Sequence, residues 1–271
     1  MSLILPLFAV LIGLSLVMAA GWFVQWRTGN GGWVDVFWTY GTGVAGVAVA
    51  LLAGGEGLTA RRWLVAGLVA LWSLRLGTFI ALRVARGGAR HEDIRYTSLK
   101  KEWGKTYQSR MFGFMQIQSP ITVALCLAVL LAATRTGPLG VADVLGALVL
   151  LGSIAGEGLA DQQMAAFRAD PAHKGQVCDT GLWGLSRHPN YLFEFLGWVA
   201  YPIIAFDAGA PQWALALLAP LVMYAILRFG TGVPPLEKSM LESRGERFRA
   251  YQARVPMFLP FPVARRRSEP A

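Results

Sequence analysis

Apolar residues fall in long runs along this chain, broken at intervals by glycine-rich or charged connectors. A helix needs about 20 apolar residues to cross a bilayer. Runs of that order occupy residues 3–26, 33–53, 63–82, 117–133, 141–160, 191–206 and 212–229, the fourth and sixth being the shortest. The connectors hold the expected breakers: Gly29-Asn30-Gly31-Gly32, Gly54-Gly55, Gly87-Gly88, Gly137-Pro138 and Gly209-Ala210-Pro211. The pattern predicts an all-α polytopic membrane protein with seven transmembrane helices.

Composition agrees. Of the 271 residues 55% are hydrophobic and only 15% charged, with a mean hydropathy of +0.46. A soluble domain carries about 25% charged residues, and a disordered chain has few apolar ones. Two cysteines, Cys126 and Cys178, exclude a disulfide scaffold and a four-cysteine metal site.

The formal net charge of +9 then asks where the basic residues sit. With seven spans the loops alternate sides. Arg61, Arg62 and Arg135 fall on one side and Arg75 within the third span; all the other Lys and Arg fall on the opposite side. The positive-inside rule makes that side cytoplasmic, which puts the amino terminus outside and the carboxyl terminus in the cytoplasm. The first run lacks a basic flank and is long for a signal peptide, so it reads as a retained span. The basic residues follow the topology, and Arg265-Arg266-Arg267 suit anionic headgroups, so they point to membrane lipid as a partner and not to nucleic acid.

Ionisable side chains in spans are costly and mark candidate sites. Asp35 begins the second span, Glu157 and Asp161 end the fifth, and Glu194 begins the sixth, so four acids gather near the cytoplasmic level. Arg75 lies deeper. Glu157 and Asp161 share a helix face and need donors; no ligand-like spacing with His173 or His188 argues for a metal. Gly41-Thr42-Gly43-Val44-Ala45-Gly46 fits G-x-G-x-x-G, but inside an apolar span it reads as helix packing, not as a Rossmann turn.

The segment from Glu157 to Trp198 is too polar for filler. The reading ends a helix at Asp161, crosses a loop holding Arg168, Lys174 and Gly175, and opens the next helix at Ser186-Arg187-His188-Pro189-Asn190-Tyr191. Pro189 suits a first helical position. Helix amino termini and basic side chains favour anions. The residues predict a cytoplasm-facing pocket for a phosphorylated or otherwise anionic cofactor, with Arg187 and Lys174 as cationic donors suited to phosphate.

The run Asp161…Phe167…Lys174…Gly181-Leu182-Trp183…Ser186-Arg187-His188-Pro189-Asn190-Tyr191…Glu194, with Glu92-Asp93-Ile94-Arg95-Tyr96 and Leu71-Trp72-Ser73-Leu74-Arg75 upstream, resembles the steroid 5-alpha-reductase-like family of membrane proteins. The resemblance implies a single membrane-embedded reductase domain over 1–271, whose 157–260 part is the family-typical cofactor-binding portion. It implies NADPH as cofactor, bound from the cytoplasm, and reduction of the C=C bond of an enone in a lipophilic, 3-oxo-Δ4-steroid-like substrate entering from the bilayer. Asn190 and Glu194 fall at the nicotinamide end, Glu157 and Asp161 near the adenosine, and Arg168 near the phosphates. Arg75 and Arg228 match family arginines. Arg83, Asp93, Arg95, Tyr96, Lys174, Arg187, His188 and Tyr191 complete the expected cofactor set, in which Arg75, Arg83, Arg95, Arg168, Lys174, Arg187 and Arg228 are the cations. Where the family has a tyrosine near the ketone this chain has Trp72, and its second-helix acid corresponds to Asp35, with Tyr40 beside it and Glu56 as the other candidate. The catalytic set is therefore Asp35, Tyr40 and Glu194, with Glu56 and Trp72 at the substrate. A multi-pass monomer of the bacterial cytoplasmic membrane is the expected setting.

Conjugate reduction builds negative charge on the ketone oxygen, which a donor must meet. Protonated Asp35 or Glu194, or the Tyr40 hydroxyl, could serve. Two rival readings remain open. The Arg-His-Pro-x-Tyr run and the tail Pro235-Leu236-Glu237…Phe248…Tyr251…Val255-Pro256…Leu259-Pro260 resemble the isoprenylcysteine-carboxyl-methyltransferase-like enzymes, which use S-adenosylmethionine. That family has glycine where this chain has Phe193, and a glutamate pair where it has Glu237-Lys238. A non-enzymatic lipid-binding or transport protein predicts no nucleotide affinity.

Overall fold

The structure, a computed structural model, describes residues 4–52, 58–87 and 92–258. Ten α-helices and no strand appear among the described residues. They are α1 (Ile4–Thr28), α2 (Trp33–Leu52), α3 (Thr59–Gly87), α4 (Ile94–Trp103), α5 (Tyr107–Thr134), α6 (Val141–Ala169), α7 (Pro189–Ala205), α8 (Leu218–Phe229), α9 (Val233–Arg244) and α10 (Glu246–Arg254). Six helical runs among them are long and apolar enough to cross a membrane: α1, α2, α3, Ile94–Thr134, α6 and Pro211–Arg244. α7, at 17 residues, is shorter than any of these.

The chain divides into two compact units. Unit 1 comprises Met1–Leu151 and Gly197–Tyr224; unit 2 comprises Gly152–Leu196 and Ala225–Ala271. Residues 197–224, which lie within the 157–260 part of the sequence reading, group with unit 1.

In unit 1, α2 packs along α3 and α1, and α1 along α5. Membrane helices lack a hydrophobic drive toward one another, so small residues that let backbones approach do this work. At Gly43 an added Cβ would lie 2.1 Å from Ser73 Oγ of α3. The G-x-G-x-x-G run is therefore a packing seam, as the sequence reading holds. Met18, Val34, Met111 and Met115 form an apolar core with Tyr96 and Tyr107.

Several element ends differ from the sequence reading. α5 starts at Tyr107, ten residues before the apolar window, and α3 extends from Thr59 to Gly87. α6 does not end at Asp161 but runs on to Ala169, through Gln162, Gln163, Met164 and the alanines, which are good helix formers. The seventh run opens as a 3₁₀ turn over Pro211–Leu217 before α8. Apolarity marks the lipid-facing part of a helix; the backbone ladder carries on beyond it. Pro189 does open α7, where its missing N–H costs nothing.

In unit 2, α10 buries Phe248 and Tyr251, with Val255 after it, against Val177, Met240 and Leu241. The 170–188 connection is ordered by two short 3₁₀ turns, Pro171–His173 and Gly181–Gly184. Trp183 Nε1 ties the second turn to the Ala160 carbonyl at 3.0 Å, and Leu182 N donates to Gln163 Oε1 at 2.9 Å.

Candidate active-site residues

Unit 1 gathers several of the expected residues into one polar cluster. Asp35, in the first turn of α2, accepts from Arg95 Nη2 at 2.6 Å and from Tyr96 OH at 2.8 Å. Asp93 caps α4: its Oδ1 accepts from Arg95 N at 3.0 Å and from Arg95 Nε at 2.9 Å. Arg83 Nη2 reaches Asp93 Oδ2 at 3.6 Å. Phe79 lies between two cations on α3, with Arg75 at 5.5 Å and Arg83 at 5.9 Å from its centroid. Burial pushes the Asp93 carboxyl up, but the charge and hydrogen bonds of Arg95, with the charge of Arg83, outweigh it and hold the group at about 2.

Both Asp35 oxygens are thus engaged by α4, one of them by a guanidinium. Tyr40 stays available: its hydroxyl shares a 2.9 Å hydrogen bond with Thr78 Oγ1, and its side chain lines an apolar groove of about 830 Å3 between α1 and α2. Trp72 is 3% exposed and packs edge-on against Trp38 and Trp198, at 6.2 and 5.0 Å between centroids, an aromatic core position. Glu56 lies outside the described residues.

Unit 2 holds the motif-rich segment. Gly156 of α6 meets Phe193 of α7 so closely that an added Cβ would sit 2.4 Å from the ring. The next residue on each helix is a buried carboxylic acid, Glu157 at 6% and Glu194 at 7% exposure. Asp161 follows one turn along α6, and Asn190 precedes Glu194 by one turn in α7; both are half-buried. Arg168 and Lys174 are exposed. Arg228 is half-buried, its guanidinium 4.9 Å from the Phe229 centroid.

Arg187 and His188, expected at the cofactor, instead surround a glutamate of α9. Arg187 Nε donates to Glu237 Oε1 at 2.8 Å, and its Nη1 to the Val255 carbonyl at 2.7 Å. His188 Nε2 stands 3.0 Å from the same Glu237 oxygen, while Gln252 Nε2 donates to Glu237 Oε2 at 2.8 Å. Burial lowers the imidazole below its ordinary value, against the hydrogen bond and charge of Glu237, so His188 stands neutral and donates from Nε2. Tyr191 stacks on it at 5.8 Å. Tyr251 OH donates to the Trp183 carbonyl at 2.5 Å, and Ser186 Oγ to that of Met257 at 3.0 Å. The tail thus holds Arg187 and His188 through Glu237 and the Val255 carbonyl.

Two polar groups lie outside the candidate set of the sequence reading. Arg61, assigned there to a loop, is fully buried in the first turn of α3; its Nε lies 2.6 Å from Asp143 Oδ1, and Arg135 pairs with the same carboxylate. Glu92 pairs with Lys100 and accepts from Gly31 N, fastening the α1–α2 connection to α4. Only the low natural frequency of buried charge hints at such residues in sequence.

The curated proteins and the solved structures hold no match to the chain. A family described as protein of unknown function (DUF1295) matches residues 21–255, which takes in both polar clusters. The chain belongs to the DUF1295 family.

Proposed function

We propose that this DUF1295 protein is a steroid 5-alpha-reductase-like membrane reductase that uses NADPH to reduce the C=C bond of an enone in a lipophilic substrate. The supporting observation is the α6–α7 crossing in unit 2, where Glu157 and Glu194 are buried beside the Gly156–Phe193 contact, with Asp161 and Asn190 one turn away. Burying two acids is expensive and marks a functional site. The donor set fits the cofactor. A side-chain amide at Asn190 and a carboxyl at Glu194 complement a carboxamide, which both donates and accepts. The exposed Arg168 and Lys174 supply cations for phosphates. NADPH, when bound, would supply the hydride for the β carbon. The protein's task is to hold a donor at the enone oxygen, where negative charge develops. Glu194 in its protonated form and Tyr40 remain for that role; Asp35 is committed to Arg95.

The accompanying topology is seven spans, with α7 as the sixth, the amino terminus outside and the carboxyl terminus cytoplasmic. The protein would act as a monomer in a bacterial cytoplasmic membrane and take its substrate sideways from the bilayer.

One observation favours a second reading. The tail residues that resemble the isoprenylcysteine-carboxyl-methyltransferase-like enzymes include Glu237 and Val255, which hold Arg187 and His188, and Tyr251, which donates to the carbonyl of the adjacent Ser186. A methyltransferase would bind S-adenosylmethionine.

Thermal melting of detergent-purified protein with NADPH, NADH and S-adenosylmethionine separates the readings. A ligand that binds only the folded state at one hundred times its Kd adds about 2.7 kcal/mol. The reductase reading expects stabilisation by NADPH, reduced in Asn190→Ala and Glu194→Gln. Stabilisation by S-adenosylmethionine alone would replace it with the methyltransferase, and no response to any of the three would favour a lipid-binding or transport protein.

A further inference from the structure

Away from both clusters, unit 2 contains a cavity of about 420 Å3 between one face of α10 and the segment 176–179. Arg247, Tyr251 and Arg254 recur at helical spacing and so share that face. Val177 and the Tyr251 ring make an apolar wall, while Gln176, Asp179 and the two arginines bring polar groups.

The charge around the cavity is uneven. At one end Arg254 Nη2 donates to Asp179 Oδ2 at 2.9 Å, so cation and anion balance. At the other end Arg247 Nη1 donates to the Gly175 carbonyl and Arg244 Nε to that of Gln176, each at 3.2 Å. No carboxylate among the described residues pairs with either guanidinium; the nearby Glu246 pairs with Arg249. A backbone carbonyl thus anchors one edge of each arginine without neutralising it. Nε and Nη2 of Arg247 make no hydrogen bond within the described residues. A fixed guanidinium with unused N–H groups, at the rim of a cavity, suits a phosphate oxygen pair.

We propose that this cavity binds a phosphate-bearing ligand, with the phosphate on Arg247 beside Arg244 and a hydroxyl or amine of the ligand on Asp179. The apolar wall takes the carbon skeleton. None of these residues belongs to the set assigned to NADPH, so the two readings stand or fall separately. The phosphate can come from a soluble phosphomonoester or from the headgroup of an anionic phospholipid.

The test uses the full-length protein purified without phospholipid. One arm titrates glycerol 3-phosphate by calorimetry; the other measures retention of phosphatidylglycerol against phosphatidylcholine in mixed vesicles. Saturable binding of glycerol 3-phosphate identifies a soluble source, and preference for phosphatidylglycerol alone a lipid source. In either case Arg247→Gln should weaken binding tenfold or more. Arg249→Gln, an exposed change on the same helix, should leave it unchanged. Absence of saturable binding in both arms, or equal losses in Arg247→Gln and Arg249→Gln, overturns the proposal.

Discussion

Arg61 Nε lies 2.6 Å from Asp143 Oδ1, and neither side chain is more than 2% exposed. The other Arg61 nitrogens are spent on the same carboxylate and on the carbonyls of Arg135, Gly137 and Pro138. Removing one partner of such a pair strands a buried charge, at a cost of about 3–5 kcal/mol. Arg135 still faces Asp143, so Arg61→Ala should fall at the lower end of that range. Arg61→Ala should therefore lower the melting temperature sharply in detergent, whereas Arg62→Ala, its half-buried neighbour, should change it much less. Equal effects would make the pair incidental.

Helix α6 offers a matched pair of glycines in unit 2. An added Cβ at Gly156 meets the Phe193 ring at 2.4 Å, while one at Gly152 meets nothing within 4 Å. Overpacking a close contact costs about 1–3 kcal/mol, whereas glycine to alanine in an open helix gains about 1 kcal/mol. Gly156→Ala should lower thermal stability and Gly152→Ala should hold or raise it. The same variants bear on function, because Gly156 adjoins Glu157 and Phe193 adjoins Glu194. Gly156→Ala should weaken NADPH stabilisation more than Gly152→Ala does.

These contacts show which parts of the molecule were legible in the sequence. The apolar runs of α1 to α3 were, because lipid selects residues one by one along the chain. The polar first turns of α5 and last turns of α6 were not, because nothing in their hydropathy separates them from loops. Asp35 could be singled out as an acid in a span, but not paired: Arg95 and Tyr96 reach it from α4, and such a partnership exists only after folding. Arg187 and His188 stood out as a cationic motif, and phosphate was the natural partner to expect. Their actual partner, Glu237, comes from the tail helix α9. Composition tells where charge sits; it does not tell which charge answers it.

Acid should destabilise the fold in two stages. Burial holds the His188 imidazole below its ordinary 6.5 despite the Glu237 hydrogen bond and charge. The unfolded chain then takes that proton first, so stability is lost as the pH falls below 6.5. Asp93 works lower down. Its carboxyl is held at about 2 against an ordinary 3.8, so its contribution is complete above 3.8 and disappears as the pH falls through 2. Melting temperature against pH should show both limbs. His188→Gln should flatten the upper one, and Asp93→Asn, which keeps an oxygen to cap α4, the lower one. A profile unaltered by either change would remove these groups as its cause.

The Asp35–Arg95 pair should couple more weakly than Arg61–Asp143. Its geometry is as short, at 2.6 Å, but both side chains are 19% exposed, and water screens what it reaches. Neighbouring charges in one network interact by about 0.5–3 kcal/mol in double-mutant cycles. A cycle of Asp35→Ala and Arg95→Ala should fall in the lower half of that range. Tyr96→Phe should add a separate, smaller loss, since its hydroxyl uses the other Asp35 oxygen. The catalytic consequence differs from the structural one. If Asp35 orders the cluster and does not donate a proton, Asp35→Asn should slow turnover no more than Arg95→Ala does, and the pH–rate profile should keep its shape. A profile that loses one limb in Asp35→Asn alone would return Asp35 to the role of proton donor.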